Sequence, residues 1–326
     1  MPVLDVTKEI WPLAGTFTIS RGSRTDIPMI VVTLSSHGKV GRGECVPTPR
    51  YGESVESVIA QIERLRLALA AGFDRQTLQN LLPPGAARNG LDLAFWDLEA
   101  KLSGKRAWEL AGMAPPRPVT TCYTISLDTA EKMGAAAKRN RTRPVLKLKL
   151  AGPEDVDRVR AVRKNAPESF LVVDANEGWD IALYRKLVPE LQKLEVSMIE
   201  QPLPAKEDEA LRGVARPIPL CADESCHTRA DLPGLAGKYD LVNIKLDKTG
   251  GLTEALALKK DAEAAGFSIM VGCMLGTSLG MAPGALVSQG AQVVDLDGPL
   301  WLARDREPGL SIAGSVIQPP RPELWG

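Results

Sequence analysis

Val145-Leu-Lys-Leu-Lys-Leu150 alternates lysine with aliphatic residues over a run too short for a helix, and its reading decides the fold. In a strand Lys147 and Lys149, two residues apart, leave by the same face. A solvated face would suit them, but the surroundings point elsewhere. Working outward, β-rich runs recur at 118–126, 170–175, 197–201, 219–223, 241–246, 268–274 and 293–297. Helix-period stretches separate them, such as Thr129–Arg141 and Leu252–Ala265, with a Gly- and Ala-rich last return over Ser278–Ser288. Eight strand–helix units predict an α/β chain with a modified (β/α)8 TIM barrel. Helices cover the outside of such a barrel, so the lysine face is expected to point inward.

The opening segment follows another pattern. Val3–Ile10, Thr16–Ser20 and Pro28–Ser35 read as antiparallel strands, and Ser54–Ala71 and Ala86–Leu102 as helices. The second helix carries Leu91, Phe95, Leu98 and Leu102 at helical spacing. An α+β capping domain over 1–115 and a catalytic barrel over 116–299 are expected. The Pro-rich tail over 300–326 is free to return to the first domain.

The 326 residues hold 40 Lys and Arg against 40 Asp and Glu, and this balance, with no basic block, argues against a nucleic-acid partner. The N-terminal residues carry charge where a secretion signal needs an apolar core, and no apolar run approaches the roughly 20 residues of a membrane span. A cytoplasmic enzyme without membrane contacts is expected. Five scattered cysteines read as free thiols, and two histidines in no metal-type pair leave acid–base work to lysine and carboxylate.

Barrel chemistry gathers at the C-terminal ends of strands. Three carboxylates fall there, in Leu171-Val-Val-Asp174, Met198-Ile-Glu200 and Leu220-Cys-Ala-Asp223. Hard oxygen ligands on neighbouring strands suit Mg²⁺. Lys147 and Lys149, enclosed together, are expected to lower each other's pKa and free one as a base. Lys245, in Val242-Asn-Ile-Lys-Leu246, lies across the barrel from Lys149. Two bases flanking a metal suit removal of a proton next to a carboxylate, where the charge that develops needs direct stabilisation.

Lys147-Leu-Lys149, Asp174-Ala-Asn176, Glu200-Gln-Pro202, Asp223-Glu-Ser225, Asn243-Ile-Lys245 and Gly250-Gly251 together resemble the muconate-lactonising-enzyme subgroup of the enolase superfamily. Gly43-Glu-Cys45 and Asn89-Gly-Leu-Asp-Leu-Ala-Phe-Trp-Asp97 extend the likeness over essentially the whole chain. Within the subgroup, Arg21-Gly-Ser-Arg24, Pro49-Arg-Tyr-Gly-Glu-Ser54, Cys221–Arg229 and Asp295-Leu-Asp-Gly-Pro299 look like bacterial dipeptide epimerases, nearest to those acting on L-Ala-D/L-Glu. The resemblance implies an acid/base pair in Lys149 and Lys245, and one Mg²⁺ per subunit, with Mn²⁺ an admissible substitute, on Asp174, Glu200 and Asp223. It assigns the substrate carboxylate to Lys147, the α-ammonium to Asp295 and Asp297, the glutamate side chain to Arg24, and further substrate contacts to Thr124 and Leu275. A role in murein peptide recycling follows from that substrate, and a homo-oligomer is compatible with the family. Gly276 departs from the subgroup, many of whose members carry a glutamate there.

Two rival readings remain at this stage. One is another enzyme on the same scaffold: an N-acylamino acid racemase, an o-succinylbenzoate synthase or a cycloisomerase. Its substrates lack the free ammonium that Asp295 and Asp297 would meet. The other is a non-catalytic metal- or peptide-binding protein, which has no use for both Lys149 and Lys245.

Overall fold

The computed structural model describes residues 2–326. Strands β1 (Val3–Ile19), β2 (Gly22–Ser36) and β3 (Lys39–Cys45) form an antiparallel sheet in that order. The two short strands expected over 3–20 are one long strand with an irregularity between Pro12 and Phe17. The hairpin tip at Ile19–Gly22 follows directly from that extension. Four helices come next: α1 (Val55–Glu63), α2 (Arg66–Ala71), α3 (Arg75–Leu81) and α4 (Ala86–Ser103). The single helix expected over 54–71 is thus two, the first capped by Ser54, whose hydroxyl accepts from Ser57 N–H.

Strand β3, with Gly41 and Gly43 in it, was not among the expected strands. The reason for the two glycines is packing. A Cβ at Gly43 would stand 2.1 Å from the Gly90 carbonyl oxygen, and one at Gly41 2.3 Å from that of Ala94, so only glycine lets α4 lie on this strand. Leu91, Ala94, Phe95 and Leu98 of α4 close a core with Ile30, Val32 and Leu34 of β2.

The chain then enters the barrel. The run expected over 118–126 serves two sheets: β4 (Val119–Thr120) and β5 (Tyr123–Ile125). Parallel strands follow as β6 (Val145–Lys149), β7 (Phe170–Asp174), β8 (Val196–Glu200), β9 (Leu220–Ala222), β10 (Leu241–Ile244), β11 (Ser268–Val271) and β12 (Val293–Val294). β5 to β12 neighbour one another in sequence order. The seam between β12 and β5 is closed by one backbone bond, Cys122 N–H to Val294 O at 2.7 Å. Leu296 N–H adds a bond to Thr121 Oγ1 at 2.8 Å. A short hairpin of β13 (Ile312–Ala313) and β14 (Val316–Ile317) pairs with β4. The last residues reach the capping domain: Trp325 Nε1–H donates to Leu93 O and Gly326 N–H to Asp97 Oδ1.

Alternation along the strands sorts the barrel interior into tiers. Val145, Val172, Met198, Cys221, Leu241, Met270 and Val293 make an apolar floor. Two residues further along, the interior positions become Lys147, Asp174, Glu200, Asp223, Asn243 and Asp295. The outward residues of the same strands, such as Leu146, Leu148, Leu171, Val173 and Ile199, pack under the surrounding helices. The inward expectation for Lys147 and Lys149 therefore holds. All five cysteines are free, four of them buried. Among the described residues no helix is long and apolar enough to cross a membrane.

Candidate active site

The polar tier opens into a cavity of about 330 Å³, the scale of a small-ligand site. Thr124, Lys147, Lys149, Asp223, Lys245, Leu275, Asp295 and Asp297 line its floor and walls, and Arg24 stands at its mouth. Asp174 and Glu200 lie against the lysines just below and are fully buried. All eleven residues expected from sequence thus meet in one place.

Charge in this tier is met locally. Lys149 Nζ donates to Asp174 Oδ2 at 2.6 Å, and Lys245 Nζ to Asp223 Oδ2 at 2.7 Å. Lys147 Nζ lies 2.7 Å from Glu200 Oε2, 2.7 Å from Asp295 Oδ2 and 3.3 Å from Asp174 Oδ2. This overturns the expectation for Lys147. Burial alone would lower its pKa, but the carboxylates of Asp295, Glu200 and Asp174 outweigh burial and raise it well above the usual value. These contacts favour the charged form of Lys147. Lys245 is raised too: burial opposes its charge, and Asp223 and Glu200 more than restore it.

The acids answer in kind. Burial would raise Asp174, but Lys149 and Lys147 hold it at about 2. Asp223 is likewise pulled well down by Lys245 and Lys248 against burial. Glu200 stays raised by burial and by the carboxylates of Asp174 and Asp223 on either side. Asp174 and Glu200 are register partners on adjacent strands, and Glu200 pairs with Cys221, two residues before Asp223. As they stand, no three acidic side chains converge on one point among the described residues, since each turns onto a lysine. The donor set nonetheless fits a hard cation: three buried oxygen ligands side by side, with Glu200 Oε2 met among the described residues only by the Lys147 ammonium at 2.7 Å.

Thr124 N–H donates to Asp297 Oδ2 at 2.6 Å, and burial together with Asp295 lifts the Asp297 carboxyl to about 6. Asp295 Oδ1 is buried with no hydrogen-bond partner among the described residues. Leu275 belongs to an apolar patch with Ile27, Val46 and Met274. The Arg24 guanidinium is exposed and makes no hydrogen bond among the described residues. Gly276, the departure from the subgroup, faces Glu44. A Cβ there would stand 3.0 Å from Glu44 Oε1, and Glu44, reaching over from β3, already accepts from Thr277 N–H and pairs with Arg306.

Sequence reasoning left several residues of this site unassigned. Two capping loops close over the cavity, one holding Arg21 and the other Arg50 and Tyr51. Arg21 donates to Asn176 O and Glu224 Oε1, each at 2.8 Å. Arg50 holds Glu177 by a two-bonded fork, both contacts at 2.7 Å. Asn176 and Glu177 follow Asp174 with φ of 45° and 65°, a turn that lifts them to meet the loops. Burial, with Asp223 and Asp174 close by, pushes Glu224 up to about 8. Their signal was present in Arg21-Gly-Ser-Arg24, Pro49-Arg-Tyr51 and Asp223-Glu-Ser225, which read only as family likeness. Because Arg50 is partly exposed, Arg50→Gln is expected to cost under about 1 kcal/mol of stability. Its larger effect falls on the loop over the cavity, and steady-state kinetics should find KM raised several-fold with a smaller change in kcat.

The fold and site define an isomerase of the enolase class. Residues 129–321 match the family described as enolase C-terminal domain-like, and residues 3–112 match the mandelate racemase / muconate lactonizing enzyme N-terminal domain; the chain belongs to this family. It is similar to L-Ala-D/L-Glu epimerase of Escherichia coli (strain K12), 46% identical over 312 residues, covering 95% of this chain and 97% of that one. It is also similar to an N-acetyl-D-glutamate racemase of a Pseudoalteromonas species, 44% identical over 300 residues with 91% and 95% covered. Among solved structures, an enolase family member from Agrobacterium tumefaciens with homology to dipeptide epimerases superposes with a TM-score of 0.98. It is 53% identical, covers all of both chains, and holds sodium and L-Ala-L-Glu. Other solved dipeptide epimerases of this fold are complexed with Mg.

Proposed function

We propose that this chain is a dipeptide epimerase that inverts the C-terminal α-carbon of L-Ala-L-Glu and L-Ala-D-Glu by a two-base 1,1-proton transfer. The observation that carries the reading is the placement of Lys149 and Lys245 on opposite walls of one cavity, with the acids between them. Asp174, Glu200 and Asp223 would hold Mg²⁺, or Mn²⁺ in its place. When bound, the cation offsets the negative charge that builds on the substrate carboxylate as the α-proton leaves.

The chain's own groups do the rest. Lys147, whose charged form its contacts favour, faces the substrate carboxylate and adds a positive charge where the enediolate develops. Lys149 and Lys245 approach the α-carbon from opposite faces; one begins neutral and takes the proton, and the other begins charged and returns one. Which lysine begins neutral depends on the configuration of the substrate. Asp295 and Asp297 receive the free α-ammonium, and the unpartnered Asp295 Oδ1 is an acceptor in want of a donor. Arg24 at the mouth meets the glutamate side chain, and the Arg21 and Arg50 loops exclude water. A substrate of this kind would suit a role in the recycling of cell-wall peptides in the cytoplasm.

One observation favours a second reading, racemisation of an N-acylated glutamate: the 44% identity to the Pseudoalteromonas enzyme. The two differ at the amino end, where an acylated nitrogen brings no charge to two carboxylates. Proton NMR in D₂O separates them. With Mg²⁺ and L-Ala-L-Glu, the glutamate α-proton signal should disappear as the L,D diastereomer grows in. N-acetyl-L-glutamate should react at least about tenfold more slowly, about what a lost charge-assisted hydrogen bond costs. Faster turnover of the acylated compound would reverse the assignment.

A further inference from the structure

Lys248 is a lysine of this tier that the proposed chemistry does not use. It lies one helical turn past Lys245 and its side chain is wholly buried. Its ammonium donates to Asp223 Oδ1 at 2.7 Å, to Asn243 O at 3.0 Å and to Asp223 O. Three N–H groups thus meet three acceptors, and none is left for substrate or solvent. The two oxygens of Asp223 are divided between two lysines, Oδ1 with Lys248 and Oδ2 with Lys245.

We infer that Lys248 is a positioning residue that sets the Asp223 carboxylate for metal binding and keeps Oδ1 engaged. Oδ2, the oxygen Lys245 now touches, is left as the one that can change partners. The inference rests on the reading of Asp223 as a metal ligand. It makes cation uptake and release of Lys245 two sides of one exchange at Oδ2. Outer partners of this kind hold a ligand's rotamer, and their loss costs metal affinity about 10- to 100-fold.

Charge and position oppose each other here, which makes the test decisive. If Lys248 acts only through its charge, its removal takes a cation away from a carboxylate and should tighten Mg²⁺ binding. If it positions Asp223, removal frees the side chain to rotate and should weaken binding. The experiment is calorimetric titration of MgCl₂ into chelator-stripped full-length protein, for wild type, Lys248→Met and Lys248→Gln. Lys248→Met should bind Mg²⁺ about 10- to 100-fold more weakly. Lys248→Gln keeps an amide donor in the same place and should fall between. Unchanged or tighter binding in a folded variant overturns the inference. Should Lys248→Met fail to fold, Lys248→Gln decides alone, and wild-type affinity there overturns it equally. Asp223→Asn serves as the control. If wild type takes up no Mg²⁺, or Asp223→Asn binds as wild type does, the metal assignment itself fails and the role of Lys248 falls with it.

Discussion

Lys149→Ala and Lys245→Ala should each abolish epimerisation while leaving the protein folded. The structure separates the two effects. Asp174 loses Lys149 but keeps Lys147 at 3.3 Å, and Asp223 loses Lys245 but keeps Lys248 at 2.7 Å. No buried carboxylate is stranded, so the melting temperature should change little. Catalysis has no such reserve. General acid or base action by one residue is worth about 10²–10⁴ in rate, and under the proposed two-base transfer each direction of inversion needs one lysine to take a proton and the other to give one. Product formation should fall by at least that factor. Each variant should still exchange the α-proton of one isomer with D₂O, the isomer presented to its surviving lysine, and opposite isomers should exchange in the two variants. Retained interconversion in either variant would sink the two-base account.

Lys147→Met should be a folding defect first and a catalytic one second. This ammonium compensates Glu200 and Asp295 at 2.7 Å each, and among the described residues neither has another cation at that distance. Removing one partner of a buried ion pair strands the other, at about 3–5 kcal/mol. Urea unfolding in the presence of a chelator should show a loss of that order. Mg²⁺ should return part of it in the variant, and more than it adds to wild type, since a ligand that binds only the folded state stabilises it. Equal stabilisation of both proteins by Mg²⁺ would show that the cation does not share this carboxylate group with Lys147.

The barrel was legible because its strands end where charge begins. Leu171-Val-Val-Asp174 and Leu220-Cys-Ala-Asp223 write burial and chemistry into adjacent letters, and the spacing of such runs names the architecture. The capping sheet was harder to read. Gly41 and Gly43 serve a helix some fifty positions later in the chain, so nothing local explains two glycines in a strand until α4 is in place. The run over 118–126 carries no mark of its division between two sheets, because the partners that divide it, Val294 and Ser315, lie far along the chain. The positions of the site residues were readable, but their charge states were not. Two lysines on one strand suggest mutual repulsion, and only the fold reveals that three carboxylates surround one of them. Lys248 was not singled out for the same reason: nothing local marks a lysine three residues after Lys245 until its three acceptors are seen.

The barrel's weakest join carries a cost for anyone who would redesign this enzyme. Where the last strand meets the first, one main-chain bond is backed by two links that use side chains, and Asp297 supplies one of them through Thr124. The residue proposed to read the amino end of the substrate therefore also works as a clasp. Exchanging it to admit an uncharged amino group would loosen the ring at the same stroke. A specificity swap at this end calls for two changes together, one to retune the contact and another to refasten the wall.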